Sequence, residues 1–244
     1  MKKILFAIAL AVVATACNNF SDEAVQVGTI SIEAATRNEV DNTTQSNTTV
    51  LDCAPAENEL KVEIVGNGNT YTWENLTAFN NAIESGLKFT SAPYTVTLSH
   101  GEKGVEGWSK PYFEGSTSVE VPMYGLSVEA TVQVVLANSI VAIDTTPNFN
   151  GYFSEASFTV NSIKWEAAKS EHLFVNTGEA TITCTAKRPT GSDITLTQTV
   201  TLKPTTRHIV RFDLETAGST AVTITFDDAI VATEELEFEL NDEA

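Results

Sequence analysis

The sequence predicts an all-β protein of two tandem β-sandwiches, with one short helix in the first. Three observations predict it. Apolar and polar residues alternate at period two through most of the chain, the pattern of strands with one face in a core. These segments recur about every ten residues with turn residues between them, the spacing of sandwiches. The hydrophobic share, 42% of 244 residues, is ample for a core.

The start of the chain is different in kind. Lys2 and Lys3 precede an apolar run from Ile4 to Val13, which closes on Ala14-Thr15-Ala16-Cys17. A basic start, about ten apolar residues and small residues at the cut make an export signal. The run is too short to span a bilayer, which takes roughly 20 apolar residues. The cysteine directly after Thr15-Ala16 makes it a lipoprotein signal. Residues 1–16 are expected to be removed, the Cys17 thiol to receive a diacylglycerol and the new amine to be acylated. Two or three chains anchor better than one, because each buried methylene contributes about 0.8 kcal/mol. Residues 17–26 read as a tether. Within them, Ser21-Asp22-Glu23 resembles the surface-export signal of Bacteroidetes lipoproteins. The expected location is the outer membrane, lipid-anchored through Cys17 and facing the cell surface.

The formal charge is -18, and residues 1–16 hold two lysines and no acid. Such acidity argues against nucleic acid and against an anionic membrane surface, since a phosphate footprint needs clustered Lys and Arg. It suits solubility at the cell surface. Apart from Cys17, the cysteines are Cys53 and Cys184. Cys53 sits in a polar stretch, while Cys184 alternates with Ile182 and Ala186 and so faces a core. Two unpaired thiols are expected.

Strand patterning begins at Gly28–Ile32, with Ile30 and Ile32 on one face. Arg37 to Thr49 is rich in Asn, Thr, Gln and Asp and reads as a long loop. Leu60–Val65 alternates again, and Gly66-Asn67-Gly68-Asn69 is a turn. Leu76, Phe79 and Ile83 fall on one helical face, with Thr72 as the cap and Gly86 as the stop. Strands follow at Tyr94–Leu98, Ser118–Val121 and Ser127–Leu136. In the last, Val128, Ala130, Val132, Val134 and Leu136 oppose Ser127, Glu129, Thr131 and Gln133, as in a half-solvated antiparallel strand. A second set comprises Ile140–Ile143, Ser157–Ile163, Ala180–Ala186, Ile194–Leu202, His208–Leu214, Ala221–Phe226 and Glu235–Leu240. The boundary falls near Asn138, giving sandwiches over residues 27–138 and 139–244.

No catalytic constellation is legible. His100, His172 and His208 are far apart and lack zinc spacing; His208, inside a strand, reads as structural. There is no nucleophile elbow, phosphate loop or calcium loop. Asp227-Asp228 and Glu234-Glu235 read as solvated turns. No metal, cofactor or enzymatic activity is expected. Two aromatic segments stand out. Trp108, Tyr112 and Phe113, with Pro111 and Gly115, are either a sugar-stacking platform or a loop whose rings plug the core. The core plug is the expected outcome. Phe149, Tyr152 and Phe153 read the same way. Asp144-Thr145-Thr146 matches the short O-glycosylation pattern of Bacteroidetes exports, with Thr145 as acceptor.

The order of these features carries a resemblance. A lipid cysteine is followed by Gly28–Ile32 and Thr36-Arg37. Tyr94-Thr95-Val96 leads to Trp108, Pro111-Tyr112 and Gly115, then to Val119–Val121. Val134–Asn138, Phe149 and Tyr152-Phe153 come next, with Lys187, Arg188 and Arg207-His208-Ile209 late. From about Gly28 to Leu240 the chain resembles the DUF4493 family of Bacteroides lipoproteins, one of the fimbrillin-like families. Ala92-Pro93 before Tyr94 departs from the glycine that pattern would have. The resemblance implies tandem transthyretin-like sandwiches, no catalytic residues and a structural or adhesive role as pilus anchor, tip component or adhesin. Partners would be pilin or adhesin subunits joined by strand addition. The other reading is a glycan- or host-protein-binding lipoprotein for nutrient capture, using the aromatic loops.

Overall fold

A computed structural model describes residues 26–43, 48–214 and 221–235. The export segment with Cys17, nearly all of the tether, and the strand expected over Glu235–Leu240 beyond its first residue lie outside them. The first half holds β1 (Val27–Thr36), β2 (Glu39–Asn42), β3 (Thr48–Val50), β4 (Lys61–Gly66), β5 (Asn69–Trp73), α1 (Leu76–Glu84), β6 (Phe89–Thr90), β7 (Pro93–His100), β8 (Gly107–Trp108), β9 (Phe113–Glu120) and β10 (Ser127–Leu136). The second holds β11 (Ser139–Thr145), α2 (Pro147–Tyr152), β12 (Ser154–Val160), β13 (Ile163–Lys164), β14 (Leu173–Val175), β15 (Gly178–Lys187), β16 (Asp193–Leu202), β17 (Thr206–Leu214), β18 (Ala221–Phe226) and β19 (Ala229–Glu235). The protein is all-β, as its alternation predicts, with two curled lobes.

The first lobe is one sheet in the order β5-β4-β7-β9-β10-β1-β6. Its strands are antiparallel except for the parallel pair β1–β10. The β4–β5 hairpin turns on Asn67 and Gly68, both at positive φ, the geometry that matches strand twist in a two-residue turn. The inward faces of β1, β4, β7 and β10 meet α1 over one core, with Ile64, Phe79, Val96 and Phe113 fully buried. The helix cap differs from expectation. Asn75, not Thr72, is the N-cap, its side chain accepting the Ala78 N–H at 2.8 Å. Thr72 stays extended because it lies in β5 opposite Glu63, between Tyr71 and Trp73, whose rings pack on Phe89 and Phe79.

The second lobe packs two sheets over a separate core. One runs β19-β18-β17-β11-β14-β8, with β2 added on β17 and β3 on β2; the other is β13-β12-β15-β16. Val160, Ile182, Cys184, Val210 and Phe212 are buried between them. The second aromatic segment belongs to this core. Thr146 caps α2, Pro147 starts it, and Phe149 is fully buried against Phe153, Phe158 and Phe212.

The expected loop over 37–49 is corrected. Its ends pair as the β2–β3 hairpin, and Val40, the single large apolar residue of β2, is fully buried. One inward residue in a short strand gives too little alternation to read. The halves also interlock. β2 pairs with β17 at Asp41 and Asn42, and β8 pairs with β14 through Trp108 and Gly107. Both thiols are free, Cys53 exposed and Cys184 buried.

Candidate functional site

A cleft of about 670 Å³ lies where the two halves meet. Its walls come from three loops: the end of β3 (Val50, Asp52, Cys53), the β7–β9 connection (His100, Glu102, Val105, Ser109, Lys110) and the approach to β14 (Ser170, Glu171, His172, Phe174). The β7–β9 connection is tightly shaped. Gly101, at φ +88°, lies against Pro111, and a Cβ there would fall 2.2 Å from the Pro111 carbonyl oxygen. Only glycine lets the two ends of this connection approach so closely.

Polar side chains fix the loops around the junction, and Glu106 spans it. Asn138 is 2% exposed; its Nδ2 donates to the Lys110 carbonyl at 3.1 Å, and its Oδ1 accepts the Tyr112 N–H at 3.3 Å. Glu106 accepts the Asn176 N–H at 2.9 Å and the Asn161 amide at 3.3 Å. Ser139, fully buried, donates to the Lys203 carbonyl at 2.7 Å. Buried polar groups with their partners in place hold one arrangement rather than many.

The cleft's lining is mixed, with Val50, Val105, Pro111 and Phe174 beside ionisable groups such as His100, Lys110 and His172. His100 Nδ1 donates to the Glu59 carbonyl at 3.2 Å, since that oxygen can only accept. Burial pushes the His172 imidazole below its ordinary range; Arg207 adds to this and Asp52 opposes it. Partial burial raises the Cys53 thiol above its ordinary range, a backbone hydrogen bond opposing it. Among the described residues no group of three or more His, Cys, Asp or Glu is placed to hold a metal ion.

The first aromatic segment does not form one surface. Trp108 is half-buried: its Nε1–H donates to the Lys164 carbonyl at 3.1 Å, its ring lies 5.1 Å from that of Trp165, and Lys169 Nζ lies 5.1 Å from its centre. Tyr112 is 8% exposed and donates to Glu114 Oε1 at 2.8 Å. Burial and that bond raise the phenol well above its ordinary range. Burial pushes the Glu114 carboxyl up, but hydrogen bonds from Lys103 and Tyr112 outweigh it and hold the carboxyl low. Phe113 is fully buried in the first core and has no face to offer a ligand. The rings diverge because β8 belongs to the second lobe's sheet and β9 to the first lobe's.

Thr145 ends β11 half-buried, its Oγ1 accepting from the Asn150 amide at 2.9 Å. Its neighbour Asp144 accepts from Arg211 Nε at 2.8 Å. Cys17 lies outside the described residues.

One polar cluster was not legible in the sequence. His208 is 1% exposed. The Lys203 N–H donates to its Nε2 at 2.9 Å, so Nδ1 carries the proton and donates to Asp227 Oδ2 at 2.7 Å. Asp227 also accepts the Ile209 N–H at 3.1 Å and the Thr43 hydroxyl. Burial pushes its carboxyl up, but hydrogen bonds from His208, Thr43 and Ile209 outweigh it and hold the group below the usual aspartate range. Asp227 thus turns the β18–β19 hairpin and also ties β17 to the segment after β2.

The family model of DUF4493, a domain of unknown function, matches residues 25–242. The chain belongs to this family. Among solved structures this DUF4493 chain is similar to a DUF1812 protein from Bacteroides thetaiotaomicron VPI-5482, at 6% identity and a TM-score of 0.43, covering 87% of this chain and 99% of that one. It is similar to a fimbrial assembly protein from Parabacteroides distasonis ATCC 8503 at 8% identity and a TM-score of 0.36, covering 72% of this chain and 90% of that one. No curated protein matches the DUF4493 sequence.

Proposed function

We propose that this protein is a surface lipoprotein with a structural or adhesive role, as a pilus anchor, tip component or adhesin, that joins other subunits by strand addition. The observation that carries the reading is β16. It pairs with β15 along all ten of its residues without a bulge, and no described strand pairs with its other edge. Thr195, Thr197, Thr199 and Thr201 face solvent, and the strand contains no Lys and no Pro. Protruding edges are ordinarily blunted by lysine, proline, bulges or shortness. A long, regular, unguarded edge is the kind that accepts a partner's strand through main-chain hydrogen bonds. The test is a pull-down from detergent-extracted envelopes with the lipidated protein and with T197K/T199K. Loss of co-purifying subunits with unchanged thermal unfolding is the expected result. Identical partners for both proteins would remove β16 from the assembly.

The second reading, a glycan- or host-protein-binding lipoprotein for nutrient capture, is favoured by the cleft between the halves, whose mixed polar and apolar lining and volume suit a ligand of a few sugar rings. Glycan binding abolished by H172A and retained by T197K/T199K would place this reading first.

A further inference from the structure

The β9–β10 connection exposes the largest apolar residues of the first lobe: Met123 is 42% exposed, Tyr124 69% and Leu126 59%. The turn is fixed by its backbone. Tyr124 and Gly125 take positive φ, the Gly125 N–H donates to the Val27 carbonyl at 2.8 Å, and the Thr29 N–H donates to the Leu126 carbonyl at 2.9 Å. The apolar tip is therefore hydrogen-bonded to the start of β1, where the chain arrives from its N-terminal side. From Cys17 to Val27 the chain reaches at most roughly 35 Å when fully extended.

The surroundings of the tip are unusual in charge. Three segments converge at this end of the lobe: the Ser91 N–H donates to the Gln26 carbonyl, the Ser91 hydroxyl to the Val121 carbonyl, and the Val121 N–H to the Ala92 carbonyl. None of residues 26–32, 89–98 and 121–128 is Asp, Glu, Lys or Arg, in a chain that is 19% charged and carries a net -18. The turn tipped with Met, Tyr and Leu thus sits on uncharged strand ends, with Lys88, Glu120 and Glu129 exposed at their margins. Tyrosine favours the membrane–water boundary, its ring in the apolar layer and its hydroxyl wet, and exposed apolar residues on a rigid turn gain by entering it.

We infer that Met123, Tyr124 and Leu126 insert into the interfacial layer of the bilayer that holds the Cys17 lipid, so that the first lobe stands on the membrane by this turn. The inference rests on the lipoprotein reading. The lipid supplies proximity and the tip supplies orientation. β10 runs ten residues from Ser127 beside the tip to Leu136, whose carbonyl accepts from the Thr205 N–H, so the second lobe joins the first at the end away from the tip.

The test uses the full lipidated protein in phosphatidylcholine vesicles, with C53S to remove the exposed thiol. An environment-sensitive fluorophore is placed at S127C, beside the tip, or at T190C, in the β15–β16 turn of the second lobe. The expected result is a blue shift at position 127 and quenching by lipids carrying a nitroxide just below the headgroup, with neither at position 190. The blue shift is expected to be lost in M123S/Y124S/L126S. A vesicle-bound, acylated protein whose label at 127 stays as wet as that at 190 overturns the tip and leaves the lipid anchor standing. A blue shift that grows with protein density and resists nitroxide quenching assigns the patch to a second copy and overturns the inference. Mass spectrometry showing no acyl chain on Cys17 overturns the anchor and, with it, the inference.

Discussion

Asp227 offers the sharpest test of the buried network. Its carboxylate accepts from His208 Nδ1–H, the Ile209 N–H and the Thr43 hydroxyl. His208 cannot adapt to its loss. The Lys203 N–H at 2.9 Å requires a lone pair on Nε2, which fixes the proton on Nδ1. D227N keeps the shape and tolerates the positive φ of this position, 52°. Yet its amide has one acceptor oxygen for donors that arrive at both carboxylate oxygens, so either His208 or Ile209 faces an NH2 group. An unsatisfied buried donor costs about 1–3 kcal/mol, so D227N is expected to lose that much and D227A, which strands both donors, about 2–4 kcal/mol. Urea unfolding followed by circular dichroism, at constant slope, reads the loss as a lower midpoint. The parent should also lose stability in acid. A carboxyl held below its unfolded value stabilises fully above that value, about 3.9, and the contribution disappears as pH falls through the lower, folded value. D227N should lack this part of the acid dependence. Stability of D227N within about 0.5 kcal/mol of the parent at neutral pH would refute the reasoning.

C17A is expected to abolish labelling by a clickable palmitate analogue and to leave unprocessed or mislocalised precursor, because the lipoprotein reading makes that thiol the acyl acceptor; equal labelling would remove the lipoprotein reading. W108A is expected to cost about 2–3 kcal/mol, below the 3–5 kcal/mol of a fully buried aromatic, because the ring is only half-covered and also loses its bond to the Lys164 carbonyl. Urea melts give this value, and free acrylamide access to Trp108 with an unchanged midpoint would contradict it. Residues 139–244 expressed alone are expected to give a dispersed β-type proton spectrum, since the second core is drawn almost wholly from that half. Adding residues 27–138 in trans should raise its unfolding midpoint through the β2–β17 and β8–β14 pairings, and an undispersed spectrum of the fragment would mean that those pairings are required for folding.

The long strands could be read before the fold was known. β10 alternates over ten residues, with Ala130, Val132, Val134 and Leu136 buried and Glu129, Thr131 and Gln133 exposed, as its sequence predicts. β15 and β18 behave the same way, with Ala180, Ile182, Cys184 and Ala186 inward in the first. The Gly66–Asn69 turn was legible from the residues that tolerate positive φ. The short strands were not: β8 has two residues and β14 is buried at all three, so neither shows a period. The helix α2 was hidden because Pro147 and Gly151 read as loop, although proline at the first helical turn is compatible with a helix.

What the sequence determined by itself is local: which residues are extended, which face of each strand is apolar, and where turns fall. Those properties follow from backbone sterics and side-chain alternation within a few residues, so a short window contains them. The tertiary structure alone decided that Trp108 and Phe113 would point into different lobes, that His208 would meet Asp227, and that His100 and His172 would line one cleft. Each of these depends on which strand edges pair, and pairing is set by the burial of whole faces against partners far away in the chain. The apolar turn of Met123, Tyr124 and Leu126 belongs to the same class. The three segments around it are each unremarkable in the sequence, and they become one surface only because β1, β7 and the β9–β10 connection end side by side.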